Sequence, residues 1–273
     1  MFEARLIQGQ IIKKILDAVK DLVTEATWEC SPNGLSLQAM DTSHVSLVTA
    51  QLKSEGFDHY RCDKPLNLGM NLPHLTKIIK CAGNDDTITI KAIDDEDKEC
   101  DKITLLFEDK NETETSEYEM KLINLDSEYL GIPEQDSEVE VEMPSSKFAR
   151  ICKDLSSMGE AVTISCVKES VRFQVQGDLG SGSVNLVQKS SADKPDEAVC
   201  IKMVNPICLS FSLKYLNHFS KAAPLSPRVK LLLKAEAPLV VSFSVKNEEE
   251  DTEIGFIRYY LAPKIEDGDN MEA

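Results

Sequence analysis

Four segments of the chain carry apolar residues at helical spacing. In residues 9–22, Ile11, Ile12, Ile15, Leu16, Val19 and Leu22 share one face, with Lys13 and Lys20 opposite. In 72–82, Leu72, Leu75, Ile78 and Ile79 oppose Lys77 and Lys80. In 145–156, Phe148, Ile151, Cys152 and Leu155 leave Lys147, Arg150 and Lys153 on the far side. In 213–222, Leu213, Leu216 and Phe219 oppose Lys214 and Lys221. Between these helices the pattern changes to period-2 alternation or short apolar runs, at 87–91, 103–107, 139–143, 171–175, 184–188, 229–234 and 239–245. Pro32-Asn33-Gly34 and Gly180-Ser181-Gly182 supply turn signals. The order helix, strands, helix, strands occurs twice, which predicts an α+β protein with mainly antiparallel sheet.

That order is an internal repeat. LNLGMNLPHLTKIIKCA at 66–82 aligns without a gap with ICLSFSLKYLNHFSKAA at 207–223, matching Leu68, Leu72, Leu75, Lys80 and Ala82 with Leu209, Leu213, Leu216, Lys221 and Ala223. Lys20-Asp21-Leu22 recurs as Lys153-Asp154-Leu155, and ITIKA at 88–92 answers LLLKA at 231–235. One long period seen twice means duplicated domains rather than a solenoid. The expected division is a first domain over 1–120, a connecting segment over 121–138 and a second domain over 139–273 that ends in a short acidic tail. The connecting segment is acidic except for an apolar knot, Leu130-Gly131-Ile132-Pro133, and it is longer than connections inside compact domains usually are.

Charge sharpens the picture. The 273 residues carry a formal −17, yet the four helical segments hold ten basic residues: Lys13, Lys14, Lys20, Lys77, Lys80, Lys147, Arg150, Lys153, Lys214 and Lys221. Against these stand three acids, Asp17, Asp21 and Asp154, so the helices sum to +7 and the rest of the chain to −24. For any single helix a solvated polar face accounts for the lysines. Four such faces in one acidic chain instead suggest a basic surface for a polyanion and an outside that repels it. No helix arrays Asn, Gln or Arg as a base-reading helix would, so nucleic-acid contact is expected at phosphates, without sequence preference.

Enzyme chemistry does not emerge. Asp41-Thr42-Ser43-His44 has triad residue types, but triads assemble from separated segments. The glycines of 177–182 lack the Gly-Lys-Ser/Thr ending of a phosphate loop and read as a hairpin turn. The acid-rich 94–101 lacks the glycine and terminal glutamate of a calcium loop. The four histidines and eight cysteines show no ligand spacing, so reduced, mostly buried thiols in an intracellular protein are expected, with no metal and no cofactor. No stretch is apolar enough to span a bilayer, and no membrane partner is expected.

Several stretches carry a family resemblance: MFEARL at 1–6, MDTSHVSLV at 40–48, SEGFDHYRCD at 54–63, KCAGNDD at 80–86, YEMKL at 118–122, LGIPEQ at 130–135, MPSSKFARICKDL at 143–155 and YYLAPKIE at 259–266. In combination they resemble the eukaryotic sliding clamps of the proliferating cell nuclear antigen family, over essentially the whole chain. The resemblance implies a non-enzymatic processivity factor of the nucleus. Its architecture would be a closed homotrimeric ring of duplicated clamp domains, with helices lining a hole for double-stranded DNA and sheets outside. It implies partners that dock through short aromatic-containing peptides: DNA polymerase, clamp loader, ligase and nuclease. It places their groove at Met40, His44, Val45, Leu47, Leu130, Ile132, Pro133, Pro238, Tyr260, Ala262 and Pro263, a subunit contact at Tyr118, and a modified lysine at Lys168. The segments 94–102 and 246–253 look longer than is usual, and Ser137 stands where many relatives carry tyrosine. An acidic, non-enzymatic chromatin interaction scaffold remains the alternative on charge alone.

Overall fold

The computed structural model describes residues 1–93, 100–111, 113–125, 130–132, 136–178, 180–188, 197–247 and 251–264. The chain divides into two compact units. One comprises residues 1–133, 224–226 and 243–258, the other 134–223, 227–242 and 259–273.

The described residues contain eighteen strands and four α-helices. The first half runs β1 (Phe2–Leu6), α1 (Gln10–Val19), β2 (Glu25–Ser31), β3 (Gly34–Met40), β4 (Ser46–Lys53), β5 (His59–Cys62), β6 (Leu66–Asn71), α2 (Leu72–Ile79), β7 (Thr87–Ala92), β8 (Lys102–Glu108) and β9 (Thr115–Lys121). The second runs β10 (Val139–Pro144), α3 (Ser145–Ser156), β11 (Ala161–Val167), β12 (Ser170–Gly177), β13 (Gly180–Val187), β14 (Cys200–Met203), β15 (Ile207–Ser212), α4 (Leu213–Phe219), β16 (Arg228–Leu233), β17 (Leu239–Lys246) and β18 (Glu253–Leu261).

Strand order states the duplication. A five-stranded sheet runs β5-β1-β7-β8-β9, a four-stranded sheet β13-β12-β11-β15, and a nine-stranded sheet β14-β10-β16-β17-β18-β4-β3-β2-β6. Thus β14-β10-β16-β17-β18 repeats β5-β1-β7-β8-β9, and β13-β12-β11-β15 repeats β4-β3-β2-β6. Every described register is antiparallel, for example Phe2 opposite both Cys62 and Ala92, and Val139 opposite both Met203 and Leu233. In both halves a strand precedes the first helix: β10 falls on the run expected at 139–143, whereas β1 was not among the expected strands.

The helices form where apolar periodicity predicts them, but three end early. α1 stops at Val19 and tightens through Leu22 N–H to Val19 O, and α2 stops at Ile79. α4 stops at Phe219 and passes into a 3-10 turn, Ser220–Leu225, that contains Pro224. Proline cannot supply the amide that a continuing helix requires. Only α3 spans its full predicted length. Lys20 and Lys80 therefore stand at the C-caps of α1 and α2, where a cation meets the negative end of the helix dipole.

Each helix buries its apolar stripe within its own unit: Ile11, Ile12, Ile15 and Leu16 from α1, Phe148, Ile151 and Leu155 from α3. In α4, Phe219 stacks on Tyr259 at 4.5 Å, and both rings are fully buried. The turn at Pro32-Asn33-Gly34 forms as expected, with Gly34 at φ 138°, a conformation that L side chains resist.

The eight cysteines form no disulfide, but fewer are buried than the composition suggested. Cys30, Cys152 and Cys166 are buried, Cys62 and Cys100 half-buried, and Cys81, Cys200 and Cys208 exposed. Burial pushes the thiols of Cys152 and Cys166 up to about 12, so they remain protonated and unreactive.

Candidate nucleic-acid and partner interfaces

In the first unit α1 and α2 pack side by side, and in the second α3 and α4 do the same. Their polar faces carry the predicted cations. Lys77, Lys80, Arg150, Lys153, Lys214 and Lys221 are exposed, whereas Lys13, Lys14, Lys20 and Lys147 are half-buried. Lys13 and Lys20 engage the chain itself. Lys13 Nζ donates to the carbonyls of Ala82 and Gly83, both at 2.5 Å, and Lys20 pairs with Asp17 one turn earlier. Lys13 thereby joins α1 to the chain leaving α2. Lys77, Arg150, Lys153 and Lys214 sit on helices whose opposite faces are buried, which suits exchangeable contacts with phosphate.

The second candidate surface begins at the turn between β3 and β4. Asp41, nearly buried, accepts hydrogen bonds from the backbone N–H groups of Ser43 (3.1 Å), Val45 (2.9 Å) and Ser46 (2.7 Å). That grip holds His44 in the left-handed region, at φ 56°. His44 Nδ1 lies 3.0 Å from the Met40 sulfur, so the two side chains form one exposed rim. Asp41 is thus the organiser of a turn, and the resemblance of 41–44 to a catalytic triad is local coincidence.

The connecting segment is held at both ends. Ile123 N–H donates to Gly69 O at 2.9 Å, and any Cβ at Gly69 would come within 2.0 Å of the Ile123 carbonyl oxygen. At the far end, Glu138 accepts from Ala235 N–H at 3.0 Å and from the Asn205 amide at 3.3 Å, and these bonds, led by that from Ala235, hold its carboxyl below the usual range. Between them, Gln38 of β3 reaches Leu130. Its Oε1 accepts from Leu130 N–H at 2.6 Å, and its Nε2 donates to Leu130 O at 3.0 Å.

The first unit therefore brings Met40, His44, Val45 and Leu47 together along one turn, and ties Leu130 to the strand leading into that turn. Met40 is 36% exposed and Leu130 38%, which is high for large apolar side chains. Ile132 is half-buried, and Pro133 lies outside the described residues. Pro238, Tyr260, Ala262 and Pro263 belong to the second unit, Ala262 exposed and the others half-buried. Gln38 and Asp41 carry no sign of these roles in the residue pattern, because a hydrogen-bonding amide or carboxylate looks alike on any strand end.

Tyr118 lies on β9, half-buried, its ring 5.3 Å from that of Phe107. A hydrogen bond with Cys81 raises the pKa of its hydroxyl. Lys168 is exposed, in the left-handed position (φ 55°) of the β11–β12 turn. Most of the acid-rich segment 94–102, residues 248–250 of the second long loop and the tail beyond 264 lie outside the described residues. Among the described residues no His, Cys, Asp and Glu side chains gather in a group able to hold a metal, and no helix is long and apolar enough to cross a membrane.

A duplicated α+β chain with basic helices and antiparallel sheets has the make-up of the DNA sliding-clamp class. Residues 1–129 match the model of the proliferating cell nuclear antigen N-terminal domain, and residues 131–264 that of its C-terminal domain. The chain belongs to the proliferating cell nuclear antigen family. Proteins of this family are sliding clamps rather than enzymes, and they serve DNA replication and repair.

Proposed function

We propose that this chain acts as a homotrimeric ring that encircles duplex DNA without sequence preference and tethers the replicative polymerase and other replication and repair proteins in the nucleus. The observation that carries the reading is the unequal use of two equivalent sheet edges. β18 lies beside β4 in the nine-stranded sheet, whereas their counterparts in the repeat, β9 and β13, each end a sheet. An uncovered edge invites pairing. Pairing β9 of one copy with β13 of the next would cover both, and a head-to-tail contact of this kind closes into a ring. Three copies supply six repeats, the number that the family resemblance implies.

Within such a ring the cations of α1 to α4 would meet phosphate, while the −24 on the remaining chain disfavours DNA elsewhere. A ring that surrounds DNA slides without sideways escape, and a polymerase bound to it gains a high effective concentration at the primer end. Partner peptides with two aromatic anchors would dock on Met40, His44, Val45, Leu47, Leu130 and Ile132, with Pro133 and with Pro238, Tyr260, Ala262 and Pro263 of the second unit. The gain from burying the anchors is offset by ordering the peptide, so micromolar affinity is expected. The working boundaries are domains over 1–120 and 139–273 joined by 121–138, with Lys168 a site for ubiquitin-like tags. Light scattering tests the assembly and DNA topology tests its use. The expected mass is three times 30.4 kDa, with the protein retained on closed circular DNA and lost once the circle is cut. A monomer at tens of micromolar, or equal retention on both DNAs, would overturn the reading.

A further inference from the structure

We infer that Gln38 is the positioning residue of the partner groove, a side-chain latch that fixes the height of the connecting segment against β3. The inference rests on the groove proposed above. Within an antiparallel ladder, a hydrogen-bonded residue exchanges both its N–H and its C=O with one partner. Leu130 does this with a side chain instead of a strand: its N–H meets Gln38 Oε1 at 2.6 Å and its C=O meets Gln38 Nε2 at 3.0 Å. A primary carboxamide is the side-chain group that presents an acceptor and a donor in the same plane. Asparagine carries the same group on a stem one methylene shorter and falls short. Glutamate offers acceptors only and sets a carboxylate against the Leu130 carbonyl.

The position of the latch gives it functional weight. Gln38 lies two residues before Met40, and Leu130 two residues before Ile132. In β3, residues two apart point to the same face. One amide therefore sets the spacing between the exposed Met40 rim and the exposed Leu130 side chain. Leu130 and its neighbour Gly131 are exposed, and no other described hydrogen bond joins residues 130–132 to the rest of the first unit. A partner peptide that needs both walls then meets a preformed groove and avoids the cost of ordering one wall on binding.

The test compares Gln38→Ala, Gln38→Asn and Gln38→Glu with wild type. The probe is a synthetic peptide carrying one glutamine, one aliphatic residue and two aromatics in a helical turn. Exchange of the Leu130 amide, followed by NMR without peptide present, should quicken at least tenfold in Gln38→Ala and Gln38→Asn, while Gln38→Glu, which keeps the acceptor, tests the bond to the Leu130 carbonyl. Peptide affinity by calorimetry should fall about tenfold, equivalent to about 1.4 kcal/mol. Thermal midpoint and solution mass should match wild type, which separates a positioning role from a general loss of structure. Wild-type exchange at Leu130 in the Gln38→Ala protein would overturn the latch itself. Rapid exchange with unchanged affinity would overturn its role in binding. The Leu130→Ala/Ile132→Ala double variant separates the two readings: if it too binds the peptide normally, the groove assignment fails, and if it binds weakly while Gln38→Ala binds normally, only the latch fails.

Discussion

Asp41 receives three backbone N–H groups with its carboxylate while nearly buried. Replacement by alanine leaves those donors without partners and frees His44 from its left-handed conformation. Asp41→Ala is expected to cost about 2–3 kcal/mol in urea unfolding, and to loosen the Met40–His44 rim. Glu138 gives a pH-dependent counterpart. Its carboxyl titrates below the ordinary range because Ala235 N–H, and then the Asn205 amide, favour the charged form. Its stabilising effect is therefore complete above the unfolded pKa and disappears as pH falls through the lower folded value. Glu138→Gln should flatten the loss of thermal midpoint on acidification below about pH 4.5, the ordinary glutamate range. Neither the Glu138 contact nor the Gln38 latch was legible in the chain. The bond from Gln38 to Leu130 spans 92 residues, and Glu138 meets Ala235 97 residues away. Such partners are fixed by sheet topology, which periodicity does not reveal. What the sequence did single out were two apolar members of the proposed groove, because Leu130 and Ile132 interrupt an acidic segment.

At the scale of elements, the helices were legible and many strands were not. α1 to α4 announce themselves through apolar stripes opposed by lysine and arginine. β1 at Phe2–Leu6 alternates cleanly but is only five residues long, and β5 and β14 are four each. β9 buries only Met120 among its seven residues, so its hydrophobic signal is nearly absent. β6 runs directly into α2, which blurs the change of period. The helical cations also differ in their contacts. Lys13, engaged with the Ala82 and Gly83 carbonyls, should act on stability: Lys13→Ala is expected to lower the thermal midpoint by a few degrees, through about 1 kcal/mol of lost hydrogen bonding. Charge reversal at Lys77, Arg150 or Lys214 should leave the midpoint within error. It should reduce clamp retention on DNA in a graded, salt-dependent manner, measured as polymerase processivity at several ionic strengths. Equal processivity at low salt would show that these faces do not meet DNA.

For the whole molecule, the repeat makes one junction twice over but completes it only once. β18 and β4 are neighbours in a sheet, and β9 and β13 are left as outer strands. Tyr118, on β9, is the large aromatic of that outer strand. Tyr118→Ala should shift the protein toward monomer at micromolar concentration, by roughly 2 kcal/mol per contact, as read by sedimentation. An unchanged mass would remove Tyr118 from the subunit contact. In the proposed ring the two junctions would also differ in molecularity. Damage between β18 and β4 is paid within one chain, so its effect on unfolding is the same at any dilution. Damage along β9 or β13 would fall on the proposed association, so its midpoint should move as the sample is diluted. A simple dilution series can thus sort variants of two strands with the same place in the repeat: one kind weakens a molecule, and the other weakens only its company.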